Sequence, residues 1–385
     1  MMNGKLLGTC LIKLNQVGNF KLMERKLKVG LVGASTTGGW GPAAHIPALK
    51  ALENVELAAL CTSRPQSAKA ASEAFGIERV YHKVIDMVNQ PDIDIISAVI
   101  KIPNHYEVVK RALEGGKHVY CEWPLGANLK ETLELTNLAN EKGLVSAIGL
   151  QGNQAPEFLY LKQLYDEGWF GQVVSVNMTM QTKASSERAS MQAWEEEKHR
   201  KATLFSIVGG HTLFYLSHIF GGITEVAGQL TTQLKELTLK DTGEIVKNDI
   251  PDQISIQGHL AGEIPFTSQI SALPHYSKGW KLEIFGTEGT IKASSKMLPQ
   301  ITPIKLMGAK GSAELIKMEV PTGLVKFSYL PEGPAGNVGR NYGKMAEAIE
   351  SGSTFHPNFN DALKMHKLLD KIEQYNKLKK RIIIE

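Results

Sequence analysis

Three segments of this chain hold residues whose types and spacing could do chemistry. In Gly33-Ala34-Ser35-Thr36-Thr37-Gly38, the residues Gly33, Ser35 and Gly38 have the spacing of a phosphate-binding turn. A glycine at the first position lets the chain reverse, a small second residue lets backbone N–H groups approach a pyrophosphate, and a third glycine lets the next helix pack closely. Ser35 hinders that approach but adds a hydroxyl that can bond a phosphate, and Thr36 and Thr37 complete the turn. Because the turn directly follows an apolar strand pattern, it reads as dinucleotide binding rather than as a plain glycine-rich turn. The next apolar run ends in Cys61-Thr62-Ser63-Arg64, where an adenosine ribose would lie. An acidic residue there would grip the 2′-OH of NAD. Ser63 and Arg64 instead suit the 2′-phosphate of NADP, so NADP is favoured over NAD; a solvated arginine at a helix start is the alternative. The third segment is Lys101 with Pro103 and Asn104, at the end of an otherwise apolar run. Ligands bind at the carboxyl ends of parallel strands, and a partly desolvated ammonium beside a cofactor can move a proton. A lysine snorkelling from a strand end is the equal alternative.

These residues need a scaffold, and composition and periodicity supply one. A chain of 385 residues with 43% hydrophobic and 21% charged content can bury a sizeable core and suits about two domains. The balance of 43 basic against 39 acidic residues is too even to point to a nucleic-acid surface. Cys10, Cys61 and Cys121 have no metal-type spacing and cannot all pair, which fits a reducing compartment, and a cytoplasmic location is the default. No metal site is expected. Residues 1–25 hold no apolar run long enough for a signal segment or a membrane span and are expected to be an extension outside the fold. From Lys26 on, apolar runs at 28–32, 55–61, 93–100, 118–122 and 144–150 alternate with helical patterns such as 68–75, 105–114 and 129–141. Continuous apolar strands separated by helices mean a parallel sheet covered on both faces, here a Rossmann domain over 26–150. After a helix at 156–167, strand patterns follow one another near 173–182, 225–230, 252–260, 266–272, 280–285 and 289–293. They predict an α/β domain on an open, largely antiparallel sheet over 151–385, closed by helices at 342–350 and 360–378 that can pack back on the Rossmann domain.

The segment Trp40-Gly41-Pro42-Ala43-Ala44-His45-Ile46-Pro47 resembles the Gfo/Idh/MocA oxidoreductase family. Further landmarks follow in order: Ile102-Pro103-Asn104-His105, Glu122-Trp123-Pro124, Gly149-Leu150-Gln151, Gly209-Gly210-His211 and Phe285-Gly286-Thr287-Glu288-Gly289. The resemblance implies a dinucleotide lying along Trp40, Pro103, Asn104, His105, Glu122, Trp123 and Gln151, and a second domain that covers the nicotinamide and often mediates oligomers. It implies a sugar, cyclitol or related polyol as substrate and homo-oligomers through the C-terminal sheet; the even charge balance and the lack of a long apolar run leave neither nucleic-acid nor membrane partners expected. His105 would start a helix and orient its loop.

The same resemblance exposes a gap. The family draws its proton chemistry from the Lys of Glu-Lys-Pro, an Asp, and a His four residues further on; here those positions are Trp123, Ile207 and His211. A branch that includes the fungal galactose-regulon repressor, a dinucleotide-binding regulator, shares the Glu-Trp pair. His211 remains, as an imidazole of pKa near 6.5 able to act as base, or as a satisfied histidine at a helix start. Lys101 and His211 are therefore the candidate catalytic pair. Trp123 would stack on the nicotinamide or a sugar, or else pack. Trp194, the glutamates 195–197 and the basic run 199–201 read as a solvated helix or a lid over the site. The reading is an NAD(P)-dependent oxidoreductase with atypical proton-transfer residues, against a non-enzymatic dinucleotide-binding regulator or sensor.

Overall fold

β1 (Leu27–Val32) lies at the centre of a six-stranded sheet because nearly every side chain in it is apolar and buried. The computed structural model describes residues 25–183, 187–188 and 202–378. β1 pairs in parallel with β2 (Val55–Cys61) on one side and with β4 (Ile95–Ala98) on the other. With β3 (Val80–Tyr81), β5 (His118–Cys121) and β6 (Ser146–Ile148) the order is β3-β2-β1-β4-β5-β6. The order reverses between β1 and β4, which opens a crevice above their carboxyl ends. Arg25, placed outside the fold by its sequence, forms a two-bond ion pair with Asp94 (both 2.7 Å) and so belongs to this domain's edge.

The helices of this half are α1 (Ile46–Ala51), α2 (Pro65–Phe75), α3 (Val84–Val88), α4 (His105–Glu114) and α5 (Leu129–Glu141). Asn128 caps α5 by accepting from the Glu131 N–H at 2.9 Å. α6 (Pro156–Asp166) leads out of the sheet and packs against α7 (Gly210–Phe220).

The second half is an eight-stranded sheet. Its long central strand β7 (Val173–Lys183) pairs in parallel with β13 (Ile264–Leu273) and antiparallel with β14 (Gly279–Gly286). Outwards lie β12 (Gln253–Leu260) and β9 (Ile223–Thr231) on one side, and β15 (Gly289–Ser295), β16 (Ile304–Lys310) and β17 (Ile316–Lys317) on the other, all antiparallel. A separate small sheet joins β8 (Glu187–Arg188), β10 (Glu236–Leu239) and β11 (Ile245–Lys247).

Two further helices, α8 and α9, both pack on the first domain. α8 (Pro334–Ser351) covers one face of the parallel sheet, sharing a core with Leu31, Leu49 and Leu60 through Val338, Tyr342 and Met345. α9 (Phe359–Lys377) lies on α5 and β9, and the Ile148 N–H on β6 donates to the Pro357 carbonyl at 3.0 Å. The sequence pattern starts α8 at Tyr342, eight residues late. Gly336 and Gly339 hide the earlier turns, since glycine is a poor helix former; both are needed because a Cβ at either would meet Pro331 O at 2.2 Å or Leu330 Cδ1 at 2.8 Å.

Candidate functional site

The exposed part of the site is a rim at the carboxyl ends of β1, β2 and β4. Gly33 turns with φ +111°, and a Cβ there would sit 1.9 Å from the Val99 carbonyl oxygen, so only glycine fits. Its N–H donates to Cys61 O at 3.0 Å, tying the turn to the end of β2. Ser35, Thr36 and Thr37 are exposed, and Ser35 Oγ lies 3.0 Å from Thr37 Oγ1 while accepting the Thr37 N–H at 3.2 Å. Gly38 and Gly39, both at φ +114°, face open space where a side chain would stand. The close-packing role that the spacing gave to Gly38 belongs to Gly41: a Cβ on Gly41 would lie 2.7 Å from Gly33 O, and Gly41 opens the helical segment Gly41–His45 that continues into α1. These glycines leave a cradle of backbone amides at a strand-to-helix turn, which fits a dinucleotide pyrophosphate.

Ser63 and Arg64 are exposed just before α2, whose first turn is held by Ser67 Oγ donating to Arg64 O at 2.9 Å. The end of β2, Cys61-Thr62-Ser63-Arg64, presents no carboxylate. Lys101 is exposed, with Pro103 and Asn104 beside it, so burial does not supply the desolvation that a proton-moving ammonium there would need. Trp40 is half-buried, with an indole N–H that finds no partner among the described residues.

Below the rim lies a buried layer. His105 is 1% exposed at the start of α4, with Nδ1 2.8 Å from Pro124 O and Nε2 2.9 Å from Ile100 O. It fastens the loop after β4, which carries Lys101, to the loop after β5, which carries Trp123. Burial lowers its pKa while the two carbonyls oppose the shift. Glu122 accepts from His45 Nε2 at 2.9 Å, His45 Nδ1 lies 2.7 Å from Tyr342 Oη, and that hydroxyl also meets Ser97 Oγ. With Nε2–H donating to the carboxylate, Nδ1 accepts the Tyr342 hydroxyl proton and Ser97 donates to Tyr342, a chain satisfied in one direction. Gly149 must be glycine, since a Cβ would lie 2.5 Å from Glu122 Oε2.

Trp123 is 5% exposed and packs. Its Nε1–H donates to Ser206 O at 2.8 Å, its ring lies 4.8 Å from the His366 ring, and a Cβ on Gly210 would meet Nε1 at 2.4 Å. The indole thus abuts the backbone just before His211. Ile207 occupies the π-helical turn Leu204–Gly209, which Thr203 caps. His211 is buried with no partner for Nδ1 among the described residues, and burial pulls its pKa down to about 3 rather than the ordinary 6.5. Gln151 and Asn153 lie on the short 3-10 turn Gln151–Gln154 after β6, both 1% exposed. That turn meets α7 at Gly152, where a Cβ would be 2.5 Å from Tyr215 Oη, one helical turn from His211.

The structure therefore sets Trp123 against the backbone just before His211, buries Gln151 on the turn that meets α7, ties Glu122 to His45, and leaves Gly33, Ser35, Ser63, Arg64 and Lys101 on the rim at the strand ends. Sequence reasoning assigned no role to Gly41, His45, Ser97, Asn153 or Tyr342. The His45 landmark was visible, but its partner Tyr342 lies 297 residues away. Trp194, the glutamates 195–197 and the run 199–201 lie outside the described residues. Among the described residues, no group of three or more His, Cys, Asp or Glu side chains could hold a metal ion, and no helix is long and apolar enough to cross a membrane. A concavity of about 560 Å³ lies on the other domain, over the face of the eight-stranded sheet at Thr179, Gln257 and Gln269.

Comparison with known proteins agrees with this geometry. Residues 27–150 match the oxidoreductase family with an NAD-binding Rossmann fold, Gfo/Idh/MocA, and residues 156–295 match the C-terminal domain of Gal80p. The dehydrogenase aclE of Aspergillus oryzae is 28% identical over 77% of this chain and 85% of its own. A super-repressor mutant of Gal80p from Saccharomyces cerevisiae superposes with a TM-score of 0.83 at 21% identity, covering 94% of this chain and 99% of its own. Levoglucosan dehydrogenase, in complex with NADH and levoglucosan, superposes with a TM-score of 0.81 at 20% identity, covering 92% of this chain and 98% of its own.

Proposed function

We propose that this member of the Gfo/Idh/MocA family, with its Gal80p-type second domain, is an NAD(P)-dependent oxidoreductase acting on a sugar, cyclitol or related polyol. The observations that carry the reading are the open glycine turn Gly33–Gly41 and a buried His211 whose Nδ1 has no partner among the described residues. A bound nicotinamide would supply or accept the hydride. The chain's own part is to hold that ring and manage the proton. The backbone amides of the turn and the Ser35 hydroxyl would hold the pyrophosphate of a bound dinucleotide, and Ser63 with Arg64 would favour the 2′-phosphate of NADP. His211, neutral in its dry surroundings, accepts a hydrogen bond from a substrate hydroxyl and takes its proton in alcohol oxidation. Lys101 on the rim is the second proton-moving group, on the condition that a bound cofactor would cover it and supply the desolvation that the fold itself does not. The open face of the eight-stranded sheet is the surface we assign to a second copy of the chain.

Glu122-Trp123 in place of Glu-Lys, together with the Gal80p-type domain, supports a second reading: a regulator that binds the dinucleotide without turning it over. Absorbance at 340 nm separates the two. Incubation with NADPH or NADH and a panel of sugars and cyclitols should show turnover, and Lys101→Met and His211→Ala should each lower kcat by about a hundredfold with cofactor affinity kept. Cofactor binding without turnover on any member of the panel selects the regulator.

A further inference from the structure

The crevice above the parallel sheet has two sides. The glycine turn after β1 would hold the pyrophosphate and the end of β2 the adenosine, so the other half of a dinucleotide must lie over the strands past the switch point, β4 and β5. Glu122 stands there. It follows β5 directly, and its N–H donates to Ala98 O at 3.1 Å, which sets it beside the end of β4. Its side chain keeps 14% of its surface exposed, so the carboxylate is not sealed into the core.

Three other elements hold that carboxylate. His45, fully buried where the helical segment Gly41–His45 ends, donates from Nε2 to Glu122 Oε1 at 2.9 Å. Tyr342 on α8 donates to His45 Nδ1 at 2.7 Å and meets Ser97 Oγ of β4. Burial pushes the Tyr342 hydroxyl well above the usual phenol range, so it stays protonated and fixes the imidazole tautomer that donates to the carboxylate. Tyr120 braces the group, its ring stacked on Tyr342 at 4.5 Å between centroids and edge-on to His45 at 5.2 Å. An ionised carboxylate has about four lone-pair sites, so Glu122 has capacity left for donors that a ligand brings. The segment that ends at His45 opens with Gly41, which packs against Gly33 in the pyrophosphate turn, so one short segment joins both halves of the cofactor site.

We infer that His45, held by Tyr342 and Ser97, is a positioning residue: it fixes Glu122 as the acceptor for the hydroxyl or carboxamide donors of the nicotinamide riboside half of a bound dinucleotide. This rests on the reading above only in taking a dinucleotide as the ligand.

Calorimetry on the full chain tests it, with NADPH and NADH as complete ligands and 2′,5′-ADP and ADP as probes that lack the nicotinamide riboside. His45→Leu and Glu122→Gln should each weaken the complete cofactors about tenfold or more while leaving the two probes within about twofold, which also shows that the domain is folded. His45→Gln, which keeps an amide N–H able to donate, should recover part of the loss. Tyr342→Phe keeps the stacked ring and removes only the hydroxyl, so it should lose less than His45→Leu; should His45→Leu not fold, Tyr342→Phe and Glu122→Gln carry the same comparison. Adding His45→Leu to Glu122→Gln should cost little further, because both act through one carboxylate. Equal losses on complete cofactors and probes would make the network a plain part of the core. That result, unchanged cofactor affinity, or losses that add overturns the inference. A wild-type chain that binds no dinucleotide removes the oxidoreductase reading together with the inference, whereas one that shows the split between cofactors and probes without turnover at 340 nm removes the enzyme and leaves His45 in its role.

Discussion

At the scale of the residue, Trp123 decides what the missing family lysine means. Its indole N–H is bonded to the Ser206 carbonyl, and its ring fills the space that the bare Cα of Gly210 leaves open. A lysine there would lose that packing and bring an ammonium into a nearly closed site. Trp123→Lys should therefore lower the unfolding free energy by about 3 kcal/mol or more, measured by urea denaturation, and should not raise turnover. An active and stable Trp123→Lys protein would show that the site is looser than this packing implies. His211 is the complementary case. Sequence alone gives an ordinary imidazole, whereas burial holds it neutral with a pKa of about 3, so protonation on its own is disfavoured and a proton it takes from a substrate is readily passed on.

At the scale of the element, the turn after β1 separates two kinds of glycine. Gly33 and Gly38 have φ of +111° and +114°, but only Gly33 faces a backbone wall. Gly33→Ala should abolish dinucleotide binding and cost more than about 3 kcal/mol, because the clash at the Val99 carbonyl adds to the backbone strain. Gly38→Ala bears the strain alone, about 1–3 kcal/mol, and should retain measurable binding. Cofactor titration by tryptophan fluorescence beside thermal melts distinguishes the two, and equal effects would remove the packing argument. His105 works at the same scale, joining the loops after β4 and β5 through one ring. His105→Phe keeps the volume but leaves two buried carbonyls unpaired, and should destabilise the protein by about 2–4 kcal/mol in the same melts.

At the scale of the whole molecule, the two halves share their cores. α8 supplies Val338, Tyr342 and Met345 to the Rossmann domain, and α9 closes its other side against α5. A fragment ending at Glu332 should therefore fail to fold, giving near-UV circular dichroism without fixed tertiary signal, although it contains all six strands of the first sheet. Stability should also fall in mild acid. His211 and His218 have pKa values lowered by burial to about 3 and about 4, so below the ordinary 6.5 the unfolded chain binds protons that the folded chain refuses. Unfolding free energy is then lost as pH drops from about 6.5 towards 4, by about 1.4 kcal/mol per pH unit for each histidine. Urea titrations across that window, repeated with His211→Gln, should show a shallower slope in the variant.

How much of this was legible in the residues follows from the range of the forces involved. Alternating apolar runs and helical periods depend on neighbours a few positions apart, so β1, β2, α4, α5 and the glycine turn could be read directly, as could the open sheet that follows. Short landmarks located Glu122, Trp123 and His211 because they too are local. What a side chain meets across the fold is not local. That Tyr342 bonds His45 across 297 positions, that Gly210 makes room for Trp123, and that the buried Asn153 amide and His211 Nδ1 have no partner among the described residues were decided by tertiary packing. Sequence named the residues able to do chemistry; burial and contact determined which are neutral, which pack, and which remain free to bond a ligand, because desolvation and close approach exist only once distant segments come together.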